Sequence, residues 1–241
     1  MSISKNELRQ VRALLQKKNR DETGLFVVEG EKMVSEALAS GFEVLSVYRK
    51  KEIGEEAMAR LSSFSSPSPV LAVVRQPVPK RLRPDRGLYL ALDGIRDPGN
   101  LGTILRIADW FGLDGVVASP DTVELYNPKV VQATMGAIFR IPFHTVDIPG
   151  FCRTVLEDGG HVYGTFLQGD NLYGKALETG ESAPVVIVIG NESNGISPDV
   201  AACVGDRLFI PPYPADDPGS ESLNAAVATA VIVAEFRRRS I

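Results

Sequence analysis

"DGIRDPGNLGTILRIADWFG", residues 93–112, sets Gly94, Gly99 and Gly102 beside Asp97, Pro98 and Asn100, then runs straight into an apolar stripe. Leu101, Ile104, Leu105, Ala108 and Phe111 recur at helical spacing and predict a helix from about Leu101 to Phe111, with Arg106 as its mid-helix cation. The run "LYLALD" (88–93) ahead of the turn and "VVAS" (116–119) beyond the helix read as strands, which makes a β-α-β unit. Further strands are legible at "HVYGTFL" (161–167), "PVVIVIG" (184–190) and "RLFI" (207–210). Further helices are expected at "PKVVQATMGAIFR" (128–140) and "ESLNAAVATAVIVAEFRRR" (221–239). Continuous apolar strands alternating with helices indicate an α/β fold with a mostly parallel sheet covered on both faces. In such sheets, ligands bind beyond the C-terminal strand ends.

Ahead of this region lies a smaller α/β pattern. "KNELRQVRALLQKKNR" (5–20) has a helical period through Leu8, Val11, Leu14 and Leu15, with Lys17, Lys18 and Arg20 at its C-terminal end. "LFVVEG" (25–30) and "EVLSVYR" (43–49) read as strands around the helix "EKMVSEALASG" (31–41); a third helix at "EEAMARLSSF" and a strand after the Ser/Pro loop complete the set. Prolines 77, 79 and 84, among basic residues, mark a linker. The expected organisation is residues 1–78 as a small α/β substrate-binding domain, 79–87 as linker and 88–241 as the larger domain.

Charge follows that division. Residues 1–84 hold 15 Lys and Arg against 10 Asp and Glu, a net of +5, whereas residues 85–241 hold 11 against 20, a net of −9. A basic segment joined to an acidic one suits a protein in which one part attracts a polyanion and the other does chemistry; a solvated helix face explains it equally well. Hydrophobic residues make up 44% of the chain, as in globular proteins, yet no apolar run approaches the roughly 18–20 residues of a membrane span. The N-terminus lacks the apolar core of a secretory signal, so a cytoplasmic location is expected. The two cysteines, Cys152 and Cys203, form no zinc-like spacing with His144 and His161, so neither a disulfide framework nor a metal is expected.

Three readings compete for the turn. The dinucleotide fingerprint G-x-G-x-x-G fails, because the glycines fall at 94, 99 and 102. A phosphate loop begins correctly from Gly94 to Gly99, but Asn100 and Leu101 stand where Lys and Ser or Thr are needed. The third reading is a tight strand-to-helix turn with Asn100 as helix N-cap and Arg106 paired to Asp109. Two similar polar sets follow other strands: "VVIVIGNESNGIS" (185–197) with Glu192, and "RLFIPPYPADDPGSESLNAAVA" (207–228) with Ser222 and Asn224. Each set stands where a parallel sheet delivers ligand contacts.

"LDGIRDPGNLGTILRIADWFGLDGVV", "VIVIGNESNGIS" and "SLNAAVA" resemble the three motifs of the SpoU (TrmH) family of RNA ribose 2′-O-methyltransferases, of the SPOUT class. "KKNRDETGLFVVEGEKMVSEAL" and "PSPVLAVVRQP" resemble the substrate-binding domain found ahead of many members, similar in fold to small RNA-binding ribosomal proteins. The resemblance implies a C-terminal trefoil knot, S-adenosylmethionine as methyl donor, no metal, and a homodimer through the knotted domain. It places the catalytic set at Asn100, Arg106, Glu192, Ser222 and Asn224, and donor contacts at Thr165, Gly190, Ile210 and Leu223. The glycines are then expected to admit the donor close to main chain.

Lys17, Lys18 and Arg20 are candidate contacts to the RNA backbone. Ribosomal RNA is the first expected substrate and tRNA the second, since ribose groups are accessible in bulges and loops. A non-catalytic RNA-binding module that keeps the fold is the alternative. It is suggested by the ten residues "PYPADDPGSE" between Pro211 and Ser222, a longer run than family members usually have, and by Ala225-Ala226 where Val-Ser is frequent.

Overall fold

The computed structural model describes residues 3–78, 82, 84–214 and 220–240. Parts of the expected linker (79–81 and 83), and Asp216 and Asp217 of the lengthened third loop, lie outside the described residues. Two compact units emerge: Met1–Pro79 with Glu124–Arg140, and Lys80–Val123 with Ile141–Ile241.

The first unit contains α1 (Lys5–Ala13), α2 (Lys17–Thr23), β1 (Leu25–Glu29), α3 (Glu31–Ala39), β2 (Val44–Arg49), α4 (Lys50–Ile53), α5 (Glu55–Leu61) and β3 (Val70–Arg75). Its strands form an antiparallel sheet in the order β1-β3-β2. Strand alternation sorts the side chains of β3 between two cores. Leu71 and Val73 join Val11, Leu14, Met58 and Leu61, while Val70, Ala72 and Val74 join Phe26, Met33, Val34 and Ala37. The second core also takes Val131 and Ile138 from the 124–140 segment, and Tyr126 lies 4.6 Å from the Phe26 ring. This segment, expected from sequence order to belong with the larger domain, therefore packs in the first unit.

Two helices expected to be continuous are broken. The helix over 5–20 divides at Leu14–Gln16, where the Leu14 carbonyl accepts from Arg20 Nη1 at 2.7 Å and the Ala13 carbonyl from Asn19 Nδ2 at 2.8 Å. Side-chain donors thus take the place of the next helical turn. The helix over 128–140 stops as α7 (Pro128–Ala133), because Met135 (φ 50°) and Gly136 (φ 102°) turn left-handed.

The second unit holds β4 (Gly87–Asp93), α6 (Pro98–Trp110), β5 (Gly115–Ala118), β6 (Phe143–Thr145), α8 (Ile148–Glu157), β7 (His161–Asn171), β8 (Pro184–Gly190), α9 (Pro198–Ala201), β9 (Asp206–Phe209) and α10 (Ala225–Arg238). Its six strands run in the order β6-β5-β4-β8-β7-β9, and every pair is parallel. Tyr89, Ala91, Val186 and Val188 pack on one face with Ile148, Cys152 and Val155 of α8. Leu88, Leu90, Leu92, Val185 and Ile187 alternate with them along the same strands and are fully buried. Each such side chain contributes about 1.5–3 kcal/mol of burial. α6 and α10 pack on each other and reach the sheet at β5 and β8. Burial pushes the Cys152 thiol up to about 12, and both cysteines are free.

Candidate active site

The parallel sheet carries the polar loops to one rim, because β4, β8, β7 and β9 are neighbours and all end on the same side. After β4 the chain turns at Gly94 (φ 71°), whose N–H donates to Ser119 Oγ at 2.9 Å. α6 then opens with Pro98 at its first position and Asp97 as N-cap, Asp97 Oδ1 accepting from the Asn100 N–H at 2.8 Å. Asp97 thus holds the cap position that the plain-turn reading gave to Asn100. With the cap supplied by Asp97, the Asn100 side chain is released for another contact, and it is 9% exposed.

That contact runs in both directions. Asn100 Nδ2 donates to Glu192 Oε1 at 2.9 Å, and Asn100 Oδ1 accepts from Asn224 Nδ2 at 2.9 Å. Asn224 is the N-cap of α10: its Oδ1 accepts from the N–H groups of Ala226 (2.9 Å) and Val227 (3.2 Å). The capped helix end orients the whole chain. Since the Asn224 oxygen faces backbone donors, its amide nitrogen faces Asn100, which must offer oxygen and so turns its own nitrogen to the carboxylate. One run of hydrogen bonds thus joins the loops after β4, β8 and β9.

Glu192 ends the run as an acceptor, also receiving the N–H groups of Arg96 (3.4 Å) and Asp97 (3.3 Å). Burial by itself would raise its carboxyl. The Asn100 amide, its own N–H and those of Arg96 and Asp97 outweigh burial and hold it below the usual carboxylate range. The loop that carries it closes on itself through paired Asn191–Gly195 backbone bonds of 2.9 Å. Asn191 Nδ2 ties this loop to the Gly94 carbonyl at 2.6 Å, and Asp93 Oδ2 accepts from the Ser197 N–H at 2.6 Å. Asp93, Asn191 and Ser119 were not singled out from sequence. Their signal is that Asp93 and Asn191 end or follow apolar strands, a position shared by many ordinary loop residues.

Gly190 has a steric reason within the chain itself. A Cβ there would stand 2.3 Å from the Gly195 carbonyl carbon and the Ile196 nitrogen, so the residue admits the close approach of its own loop. Thr165 lies just past the last β7–β8 pair, Gly190 closes β8 and Ile210 follows β9. Leu223, 50% exposed, precedes the Asn224 cap. Ser222 is exposed.

Arg106 lies on the exposed face of α6 and makes no hydrogen bond or ion pair with another described residue, so the Asp109 pairing of the plain-turn reading does not form. The three basic residues of the first unit differ among themselves. Lys17 and Lys18 are exposed and paired to Asp21 (2.6 Å) and Glu22 (3.8 Å). Arg20 is 2% exposed, with Nε and Nη2 on Glu124 at 2.8 and 2.5 Å. The expectation that Arg20 contacts RNA is therefore corrected: its guanidinium is committed to Glu124 and the Leu14 carbonyl, out of reach of a polyanion.

The parallel α/β unit brings the three motif segments together at one rim of its sheet. Residues 87–234 match the model of the SpoU rRNA methylase family, and the chain belongs to that family. Residues 5–80 match the MRM3-like substrate binding domain. The chain is similar to the 23S rRNA (guanosine(2553)-2′-O)-methyltransferase RlmP of Bacillus subtilis, with 31% identity over 98% of both chains. Among solved structures it is similar to the AdoMet-bound rRNA methyltransferase of Sinorhizobium meliloti (32% identity, TM-score 0.87, 100% of this chain and 98% of that one). It is also similar to the SpoU methyltransferase AviRb of Streptomyces viridochromogenes in complex with AdoMet (25% identity, TM-score 0.84, 98% of each chain).

Proposed function

We propose that this chain transfers a methyl group from S-adenosylmethionine to a ribose 2′-hydroxyl of ribosomal RNA. The observation that carries the reading is the Asn224–Asn100–Glu192 run, which ties the three family motifs into one site. The relatives described above, among them a 23S rRNA 2′-O-methyltransferase and two AdoMet-bound proteins, support substrate and donor.

The rim suits the donor. Ile210 is half-buried and Leu223 half-exposed, two apolar side chains at strand and helix ends of the kind that take an adenine. Thr165, Gly190, Ile210 and Leu223 would hold S-adenosylmethionine, which supplies an activated methyl on a sulfonium and leaves as a neutral thioether. The reaction needs no metal. What the chain must do is align the 2′-oxygen and manage its proton. Arg106, a guanidinium with no partner among the described residues, holds a phosphate of the target nucleotide or stabilises the developing alkoxide. Glu192, ionised and surrounded by donors, fixes the geometry rather than taking the proton, which passes to solvent as the 2′-oxygen gains the methyl and the sulfonium loses it. Asn100 and Asn224 each keep spare hydrogen-bonding capacity for the nucleotide, as does the exposed Ser222.

The same reading includes a trefoil knot in the second unit, a cytoplasmic enzyme and a homodimer. Trp110 of α6 is 85% exposed and Val227 of α10 is 50% exposed; these packed helices supply an apolar face that a second copy would cover. Transfer of radiolabelled methyl to unmodified ribosomal RNA and, separately, to tRNA tests the reading. Label in ribosomal RNA is expected; label in tRNA alone would replace the substrate, and donor binding without transfer to either would favour a non-catalytic binding module.

A further inference from the structure

The first unit carries its positive charge in two forms. Lys17, Lys18, Arg49, Lys50, Arg60 and Arg75 are each within ion-pair distance of a carboxylate. Arg20 is paired and buried. Lys5, Arg9 and Arg12 of α1 are exposed and have no carboxylate partner among the described residues, and the same holds for Lys32, Lys51 and Lys129, which stand singly on other elements; Arg9 contacts only the Asn6 amide, at 3.0 Å.

Their spacing makes one surface of them. At about 100° per residue, positions 5, 9 and 12 fall within about 60° of one another, and at about 1.5 Å per residue they span about 10 Å along the helix. The acidic residue of the same helix does not neutralise them. Glu7 lies on the opposite side, where it accepts from Tyr48 Oη at 2.8 Å. Val11 and Leu14 turn inward to the core, so the stripe and the buried face share the element without conflict. The helix is held from its first turn by Ser4, whose hydroxyl accepts from the Glu7 N–H at 3.2 Å.

We propose that the Lys5–Arg9–Arg12 stripe of α1 is the surface on which the first unit receives the sugar-phosphate backbone of the RNA substrate. The inference rests on the methyltransferase reading and deepens it. A cation already paired to a carboxylate must surrender that partner before it engages a phosphate, and its net gain is small. An unpaired cation releases condensed counterions from the RNA at no such cost. Three such cations in line on a rigid helix give a row of contacts without base specificity, which is what a positioning surface requires.

The test uses the full chain, with Lys5→Gln/Arg9→Gln/Arg12→Gln compared against Lys17→Gln/Lys18→Gln. Gln preserves the helix and leaves the buried face untouched; unchanged melting and unchanged S-adenosylmethionine binding establish that each variant is folded. For the α1 variant, ribosomal RNA binding is expected to weaken by about 10²-fold near 0.1 M salt. The slope of log affinity against log salt should fall by about 2, at about 0.7 per phosphate contact. The α2 variant should bind within about threefold of the parent, since its cations start neutralised. Parent-like binding and slope for the α1 variant, with methyl transfer intact in the parent, would overturn the surface and leave the enzyme standing. No transfer by the parent to any RNA would remove both.

Discussion

Each unit places a carboxylate at or just beyond the end of an apolar strand and gathers a loop around it, yet the two results differ. In the first unit Glu29, 4% exposed, accepts from Ser62 Oγ at 2.5 Å, from the Ser68 N–H at 3.1 Å and from the Ser63 N–H at 3.3 Å. All three donors belong to the single Ser/Pro loop, and the arrangement is closed. Glu192 in the second unit also draws backbone donors, but through Asn100 and Asn224 it is connected to the start of α10. Arg106 of α6, and Ser222 and Leu223 just ahead of α10, are exposed. The arginines repeat the contrast, for Arg20 spends its guanidinium on Glu124 and Leu14, whereas Arg106 spends none among the described residues. Polar groups satisfied inside the protein stabilise it, and those left unsatisfied at a rim are free for a ligand.

Arg20→Ala should break this contrast on the stability side. It leaves Glu124 partly buried without its partner, and a loss of about 3–5 kcal/mol is expected in chemical denaturation, with RNA affinity of the remaining folded protein unchanged. If Arg20→Ala instead weakened RNA binding while stability held, the corrected role would itself be wrong. Arg106→Ala is the mirror case. Methyl transfer should fall about 10²–10³-fold, while donor binding and the unfolding midpoint stay at parent values. Loss of donor binding with an unchanged single-turnover transfer rate would refute the assignment.

Gly190→Ala sharpens the comparison within the rim. Its new methyl must displace the Gly195–Ile196 backbone, so a destabilisation of about 1–3 kcal/mol is expected even with no donor present. A variant that folds with parent stability but no longer binds S-adenosylmethionine would favour the ligand-clearance explanation.

The smallest effect is the pH dependence contributed by Glu192. A carboxyl held low in the folded state contributes stability above its unfolded value of about 4.3 and loses it as pH falls through the depressed folded value. The stability gap between the parent and Glu192→Gln should therefore be present at neutral pH and narrow on acidification below the ordinary carboxylate range. A gap that stayed constant across that range would mean that packing of the side chain, not its charge, holds the loops.

Amino-acid order by itself determined the elements with strong periodicity. The stripe Leu101–Leu105–Ala108 is buried as α6, and the runs 184–190 and 207–210 are strands, β9 ending at Phe209. The three polar sets at strand ends were also legible, because strand ends in a parallel sheet have only one rim to occupy. Order said less where a residue could serve two purposes. Arg20 stands in a basic run beside Lys17 and Lys18, and nothing local separates a guanidinium that faces solvent from one that finds a carboxylate 104 residues away.

Sequence order likewise assigns segment 124–140 to the domain that surrounds it in the chain, whereas Val131, Ile138 and Tyr126 pack into the core around Phe26. The Asn224–Asn100 bond spans 124 positions and exists because α10 packs on α6 and both helices start at the same rim. Periodicity reports which face of an element is buried. Which partner buries it, and which polar groups are left over for chemistry, is set by non-local pairing, and that is a property of the tertiary structure alone.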